Sequence, residues 1–452
     1  MNSISFFRDL LNTILSKGLR FSSSQGDNKY DCTIGELCND LLSSRGEASG
    51  TAIAHAVLQK YAELDENGKE EFFRLLAEEY DVDLEPAKKA ISEYEKDRSS
   101  KNLKKLINTT EPRRQELIRR LNMCLGGTAR LVDMRAEFLG NSSISKECER
   151  IDLDFKHLFS SWFNKGFLVL RRIDWTTPAH ILEKIIKYEA VHEIGSWEEL
   201  RARLEPEDRR CFAFFHPVMP DDPLIFVEIA LTKGISTSIQ EVLASDREAI
   251  RESEATTAVF YSISNCQKGL KGVSFGNFLI KQVAMDLAIE LPNLKTFTTL
   301  SPIPGFMKWL MREAKKDPSG PASEMRDIVS DLNWNRNEQN RIDLQKPLMT
   351  LAAQYFLNEK RRTGEPIDPV ARFHLGNGAS LKQINWLGDT SAKGLGQSAG
   401  LMVNYLYELS SIEENHEAYV SNGEIKTTGK IRALLPAPVA EKRGTELVKV
   451  EE

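Results

Sequence analysis

Two stretches in the second half of the chain hold residue types suited to acid–base or nucleophilic chemistry. In Ser301-Pro302-Ile303-Pro304-Gly305-Phe306 a serine hydroxyl follows directly on a β-rich run. Two prolines stiffen the turn that leaves it and remove backbone donors, which fixes the direction of the serine. Ser301 is therefore either a polar group presented at a strand end or the cap of a following helix over Met307 to Lys315. In Phe373-His374-Leu375-Gly376-Asn377-Gly378-Ala379 an imidazole stands beside a Gly-Asn-Gly turn whose small bulk would let substrate reach it. The alternative for His374 is a structural histidine. His216, in Phe215-His216-Pro217, has similar surroundings, while His55, His157, His180, His192 and His416 fall in helical or charged contexts. No histidine pair and no Cys-x-x-Cys spacing points to a metal, so none is expected.

A third stretch, Lys268-Gly269-Leu270-Lys271-Gly272-Val273-Ser274-Phe275-Gly276-Asn277, lies between a β-rich run and a helical face of Phe278, Ile280, Val283, Ala284, Leu287 and Leu291. Gly269, Gly272 and Gly276 permit positive φ and close backbone approach, and a helix start offers free N–H groups and the positive end of a dipole. A phosphate would sit well there, with Lys268 and Lys271 adding charge. A plain tight connection between strand and helix is the other reading. The G-K-[ST] ending of a Walker loop and the G-x-G-x-x-G spacing of a dinucleotide site are both missing.

The elements that must carry these residues change in character along the chain. Up to residue 165 apolar residues recur at helical spacing, as in Phe72, Phe73, Leu76 and Tyr80, or Leu117, Ile118, Leu121, Cys124 and Leu125. Pro112 before the second group and Gly126-Gly127 after it are start and stop signals, and short loops predict an antiparallel bundle. Beyond 165 come short β-rich runs, Leu224 to Leu231, Ala258 to Ser264 and Thr296 to Leu300, separated by helices. Near-continuous apolar character in the first two predicts strands covered on both faces. The fold class read from this patterning is an N-terminal all-α bundle over 1–165, then an α/β domain over 166–436, then a flexible tail over 437–452. The first twenty residues form an amphipathic stripe, read as a first helix rather than a targeting segment.

Sixty Lys+Arg against 66 Asp+Glu give a net charge of -6, so nothing global draws the chain to nucleic acid or anionic lipid. The longest apolar runs are strand-length, far short of the roughly 20 residues a spanning helix needs, and no membrane partner is expected. Six scattered cysteines fit reduced thiols in a cytoplasm.

Lys271-Gly272-Val273-Ser274-Phe275-Gly276 resembles the pyrophosphate turn of the acetyltransferase superfamily, with Ser274 where the middle glycine would stand. That resemblance implies an acetyltransferase-like α/β domain with a mixed central sheet and a fork between two splaying strands, here Ala258 to Ser264 and Thr296 to Leu300, in which the pantetheine of coenzyme A lies. More widely, Phe260-Tyr261-Ser262-Ile263-Ser264, Gly269-Leu270-Lys271-Gly272-Val273, Ser301-Pro302-Ile303-Pro304-Gly305-Phe306, Lys346-Pro347-Leu348-Met349, Phe373-His374-Leu375 and Ile384-Asn385-Trp386 arrive in the order of the malonyl-CoA decarboxylases, and the chain resembles that family. The resemblance implies conversion of malonyl-CoA to acetyl-CoA and CO2 without a separate cofactor, and a helical domain used in homo-oligomer contacts. It implies Ser301 and His374 as the catalytic pair and Lys271, Gly272, Val273, Ser274, Phe275, Gly276 and Asn277 as the malonyl-CoA loop. On chemical grounds Ser301 would orient the carboxylate or relay a proton, and an imidazolium at His374 would protonate C2. An acyl-CoA-dependent N-acyltransferase and a non-catalytic acyl-CoA sensor are the alternatives.

Overall fold

The structure, a computed structural model, describes residues 32–43, 46–141, 148–273 and 279–436. The amphipathic first twenty residues, the 437–452 tail and the loop positions Ser274, Phe275, Gly276 and Asn277 lie outside the described residues.

The helical periodicity of the first part becomes α1 (Ile34–Ser43), α2 (Glu47–Ala62), α3 (Glu66–Glu78), α4 (Leu84–Lys96), α5 (Ser100–Thr110), α6 (Arg113–Leu121), α7 (Gly127–Gly140) and α8 (Glu149–Trp162). Three of these starts are set by side-chain oxygens that take an otherwise unpaired N–H: Asp65 from Gly68, Asp83 from Glu85 and Ser99 from Asn102. Phe72, Phe73 and Leu76 point inward from α3, and Tyr80 is buried just past its end. On α6 the helix stops at Leu121, before the predicted Cys124 and Leu125, and Leu125 is exposed. The chain turns there towards Gly126, whose φ of 70° is left-handed backbone that glycine adopts freely. Neighbours in sequence pack together, α1 on α2 and α4 on α5, while α6 packs on α2 and α8.

The second part runs β1 (Val169–Ile173), α9 (Ala179–Tyr188), α10 (Trp197–Leu204), β2 (Arg209–His216), β3 (Met219–Thr232), α11 (Ile239–Leu243), β4 (Thr257–Asn265) and α12 (Leu279–Glu290). It continues with β5 (Thr296–Thr299), β6 (Ser301–Pro302), α13 (Phe306–Lys316), α14 (Pro321–Val329), α15 (Glu338–Leu357) and α16 (Pro369–Gly376). Last come β7 (Ser380–Asn385), α17 (Ala392–Ser398), β8 (Met402–Leu406), α18 (Ile412–Asn422) and α19 (Gly429–Arg432). The strands form a sheet in the order β1-β2-β3-β4-β5-β8-β6, with β7 on β8. It is mixed: β4 and β5 are parallel, and β8 runs antiparallel to β5, β6 and β7. An all-α region followed by a mixed-sheet α/β region is the predicted class. Strand β3 is buried continuously from Pro223 to Leu231, as its unbroken apolar run requires.

Two compact units divide the chain, one of Met1–Gly195, Phe212–Phe226 and Ser264–Gly276, the other of Ser196–Cys211, Val227–Ile263 and Asn277–Glu452. The first contains the eight helices above and the start of the glycine loop. The second contains most of the sheet, and one sheet face there packs Val259, Tyr261, Leu300 and Met402 against Ile239 and Val242 of α11. Burying side chains of this size stabilises the unit by about 1.5–3 kcal/mol each.

Within the second unit the sheet forks. Strands β4 and β5 pair from Thr257↔Thr296 to Phe260↔Thr299, and the Leu300 N–H still donates to Phe260 O at 2.9 Å. Beyond that point β4 continues, but the other chain swings onto β8, pairing Ser301↔Val403 and Pro302↔Met402. Pro302 has no N–H to give a further neighbour, which suits it to the outside of a parting strand.

Candidate active site

Ser301 sits where the strands part. The sequence placed it at the end of the preceding strand or as a helix cap, and neither describes it fully: it belongs to the separate two-residue strand β6, and α13 is preceded by Gly305 with no side-chain cap. Gly305 is required at that bend, since a Cβ there would stand 2.3 Å from Tyr355 OH.

His374 comes from the last turn of α16. Asp368 starts that helix by accepting the Ala371 N–H at 2.8 Å, Pro369 follows in the first turn, and Tyr355 OH donates to the same carboxylate at 3.1 Å. Burial pushes the Asp368 carboxyl up, opposed by those hydrogen bonds. Asn377 and Gly378 end the helix; Gly378 has a φ of 81°, and a Cβ on it would meet Ile412 O at 2.1 Å. The turn expected to expose His374 is thus covered by α18, where Asn415 donates to Gly378 O and the His416 ring bonds Gly376 O. His374 itself is only 2% exposed and Ser301 5%.

The fold brings these two residues, 73 positions apart, within hydrogen-bond reach: Ser301 Oγ lies 3.2 Å from His374 Nε2. Ser301 Oγ also donates to Thr299 Oγ1 at 2.8 Å, and His374 Nδ1 lies 2.8 Å from Tyr407 OH. The Tyr405 ring stacks on the imidazole at 4.5 Å between centroids. Burial lowers the His374 pKa to about 3, so the ring is neutral near pH 7. The imidazolium expected from sequence is therefore not the resting form. Burial likewise pushes the Tyr407 phenol well up. A phenol that keeps its proton can donate to Nδ1, and a neutral ring so bonded carries its hydrogen on Nε2, towards Ser301.

Side chains replace part of the backbone ladder next to this pair. Between Thr298↔Leu406 and Ser301↔Val403, the Tyr405 N–H donates to Thr299 Oγ1 at 3.1 Å and Asn404 Nδ2 donates to Thr299 O. Asn404 also donates to Ser236 O at 3.1 Å and accepts from Asn385 Nδ2 at 2.7 Å, so the buried amide is fully engaged. Sequence reasoning missed Thr299, Asn404, Tyr405 and Tyr407. The available signal was an asparagine inside the apolar run Leu401-Met402-Val403-Asn404-Tyr405-Leu406.

His216, the other histidine singled out, is structural. Its Nε2 bonds Trp162 O at 3.1 Å, its Nδ1 accepts the Val218 N–H, and burial lowers its pKa.

In the first unit the described part of the glycine loop is a short 3-10 turn, Lys268–Leu270, leading to Gly272. Lys268, Lys271 and Gly272 are exposed, while Val273 is buried and its N–H donates to Leu270 O at 3.0 Å. Gly269 lies so close to α7 that a Cβ would stand 1.8 Å from Val132 O, and Gly272 has a φ of 76°. Arg135 of α7, which no sequence motif singles out, donates to the carbonyls of Gly269 and Lys271.

The described residues include no group of three or more His, Cys, Asp or Glu arranged to hold a metal, and no helix among them is long and apolar enough to cross a membrane.

Known proteins match this chain along most of its length. Residues 166–445 match the family model of the malonyl-CoA decarboxylase C-terminal domain and residues 80–163 that of its N-terminal domain. The mitochondrial malonyl-CoA decarboxylase of Anser anser anser is 38% identical over 352 residues, 71% of this chain and 69% of that protein. Among solved structures, malonyl-CoA decarboxylase from Rhodopseudomonas palustris is 52% identical with a TM-score of 0.85, covering 88% of this chain and 98% of its own. The Agrobacterium vitis enzyme is also 52% identical, with a TM-score of 0.84 over 89% and 99%. On these matches the chain belongs to the malonyl-CoA decarboxylases, carboxy-lyases that convert malonyl-CoA to acetyl-CoA and CO2.

Proposed function

We propose that Ser301 and His374 carry the decarboxylation. The observation that supports this reading is the 3.2 Å approach of the two groups, both buried, where β4 and β5 part.

Breaking the bond between C2 and the carboxylate releases CO2 and leaves its electron pair on C2 as a thioester enolate, which must then take up one proton. The thioester is the electron sink, so no separate cofactor enters this proposal. Ser301 Oγ hydrogen-bonds the carboxylate and holds the breaking bond perpendicular to the thioester plane. A carboxylate beside His374 opposes burial, because an adjacent anion favours the charged imidazole. Substrate thus draws in the proton that the reaction consumes. Because the ring already carries hydrogen on Nε2, the added proton sits on Nδ1, where Tyr407 OH turns to accept it; after CO2 leaves, Nε2 gives its own proton to C2, directly or through Ser301 Oγ, and the ring is neutral with its hydrogen on Nδ1. Tyr407 keeps the ring oriented throughout.

The glycine loop from Lys271, with Lys268 beside it, binds the phosphates of the coenzyme A portion; its exposed lysines and the left-handed Gly272 support that role. The helical part serves homo-oligomer contacts. Six cysteines scattered over a long chain, with no Cys-x-x-Cys spacing, support a cytoplasmic location.

Mass-resolved turnover of malonyl-CoA alone, without an amine acceptor, tests the reading beside Ser301→Ala and His374→Ala. Acetyl-CoA and CO2 from the unchanged chain are expected, with turnover of folded His374→Ala lower by about 10²- to 10⁴-fold. Near-native turnover in either folded variant would remove that residue from the mechanism.

A further inference from the structure

Arg135 is completely buried. Taking a guanidinium out of water costs several kcal/mol unless its donors find partners, and here each of its three nitrogens donates to one. Nε donates to Asp152 Oδ1 at 2.8 Å, Nη1 to Gly269 O at 2.5 Å and Nη2 to Lys271 O at 2.8 Å. Two of the three are main-chain oxygens of the glycine loop.

Their direction matters more than their number. In a trans peptide the carbonyl and the following N–H point to opposite sides. Turning the Lys271 carbonyl onto Arg135 therefore turns the Gly272 N–H away from it. Carbonyl oxygens facing an incoming polyanion would repel it, and Arg135 holds two of them inward. Asp152 extends the arrangement, because its other oxygen binds Lys156 Nζ at 2.6 Å. Burial raises the Asp152 pKa, yet its bonds to Lys156 and Arg135 outweigh this and leave the carboxyl below its usual range. The Lys156 stem passes beside Gly272, with Cε 3.3 Å from where a Cβ on that glycine would stand. Gly269 completes the fit, since only a residue without Cβ lets the loop lie on the α7 backbone at Val132.

We propose that Arg135 is a positioning residue for the phosphate end of malonyl-CoA, holding the Gly269 and Lys271 carbonyls inward so that the Gly272 N–H is presented to substrate. The inference rests on the loop reading given under Proposed function. It touches the coenzyme portion and not the bond that breaks.

The test compares malonyl-CoA with malonyl-pantetheine, which lacks the phosphorylated nucleotide, in the full chain and in Arg135→Met, Arg135→Lys and Gly269→Ala, with folding checked by thermal melting. For malonyl-CoA, KM is expected to rise about tenfold or more in Arg135→Met and Gly269→Ala, with kcat little changed, because hydrogen bonds to a charged group are lost. Arg135→Lys should recover part of the loss. Efficiency on malonyl-pantetheine should not fall. Equal losses on both substrates, or an unchanged KM for malonyl-CoA in folded variants, would overturn the role of Arg135. Should the unchanged chain use both substrates equally well, the loop reading itself fails and this inference with it.

Discussion

His374 is held neutral by the same burial that isolates it, and this makes it a cost to the fold in acid. Its pKa is about 3 in the folded chain, against roughly 6.5 unfolded. Between these values only the unfolded state takes the proton. The stability at stake is therefore fully present above about pH 6.5 and declines as pH falls towards 3, by about 1.4 kcal/mol per pH unit in that window. Urea denaturation at stepped pH should show a shallower acid loss for His374→Asn than for the unchanged chain; equal slopes would mean that the imidazole does not titrate in this way. Ser301 and His374 could both be singled out from local sequence, since one stands among prolines and the other by a glycine turn. Their partners could not. Tyr405 and Tyr407 look like ordinary strand aromatics, and Arg135 looks like surface charge until α7 is seen against the loop.

At the level of elements, strand positions were legible because an unbroken apolar run and a two-sided cover go together, as β3 and β4 demonstrate. Less legible was the step at Leu300, where the strand predicted over Thr296 to Leu300 ends as β5 and a separate strand, β6, begins at Ser301. No periodicity marks it, because what separates the two is a side-chain substitution in the ladder, with Thr299 Oγ1 and Asn404 Nδ2 standing in for backbone groups. Thr299→Val keeps the shape and deletes the hydroxyl, leaving the buried Tyr405 N–H without its acceptor. A loss of about 1–3 kcal/mol in unfolding free energy is expected, together with a fall in kcat, because Ser301 Oγ loses the same partner. Thr299→Ser should restore both quantities. A valine variant of native stability and turnover would show that the ladder tolerates a plain wedge.

Across the whole molecule, the patterning changes from helical to β-rich near residue 165, where apolar residues three to four apart give way to short apolar runs. Chain order did not reveal that the compact units draw on separate segments, with Ser264–Gly276 grouped with the helices and Asn277 onward with most of the sheet. Long-range packing decides this, and local pattern carries no record of it. A chemistry that relies on the thioester as electron sink predicts that exhaustive dialysis of the intact protein against EDTA leaves malonyl-CoA turnover within about twofold of its starting value. Loss of turnover restored by one divalent metal would contradict the cofactor-free mechanism.

The hydroxyl of Thr299 serves two neighbours at once, the Ser301 hydroxyl at 2.8 Å and the amide of Tyr405 at 3.1 Å. That sharing turns a main-chain amide into an internal sensor. When substrate draws the Ser301 hydroxyl away, the electron density left on Thr299 Oγ1 shifts, and the magnetic resonance frequency of the Tyr405 N–H shifts with it. Nitrogen-labelled tyrosine would therefore report occupancy of a site closed to solvent, with no dye, fluorophore or altered substrate.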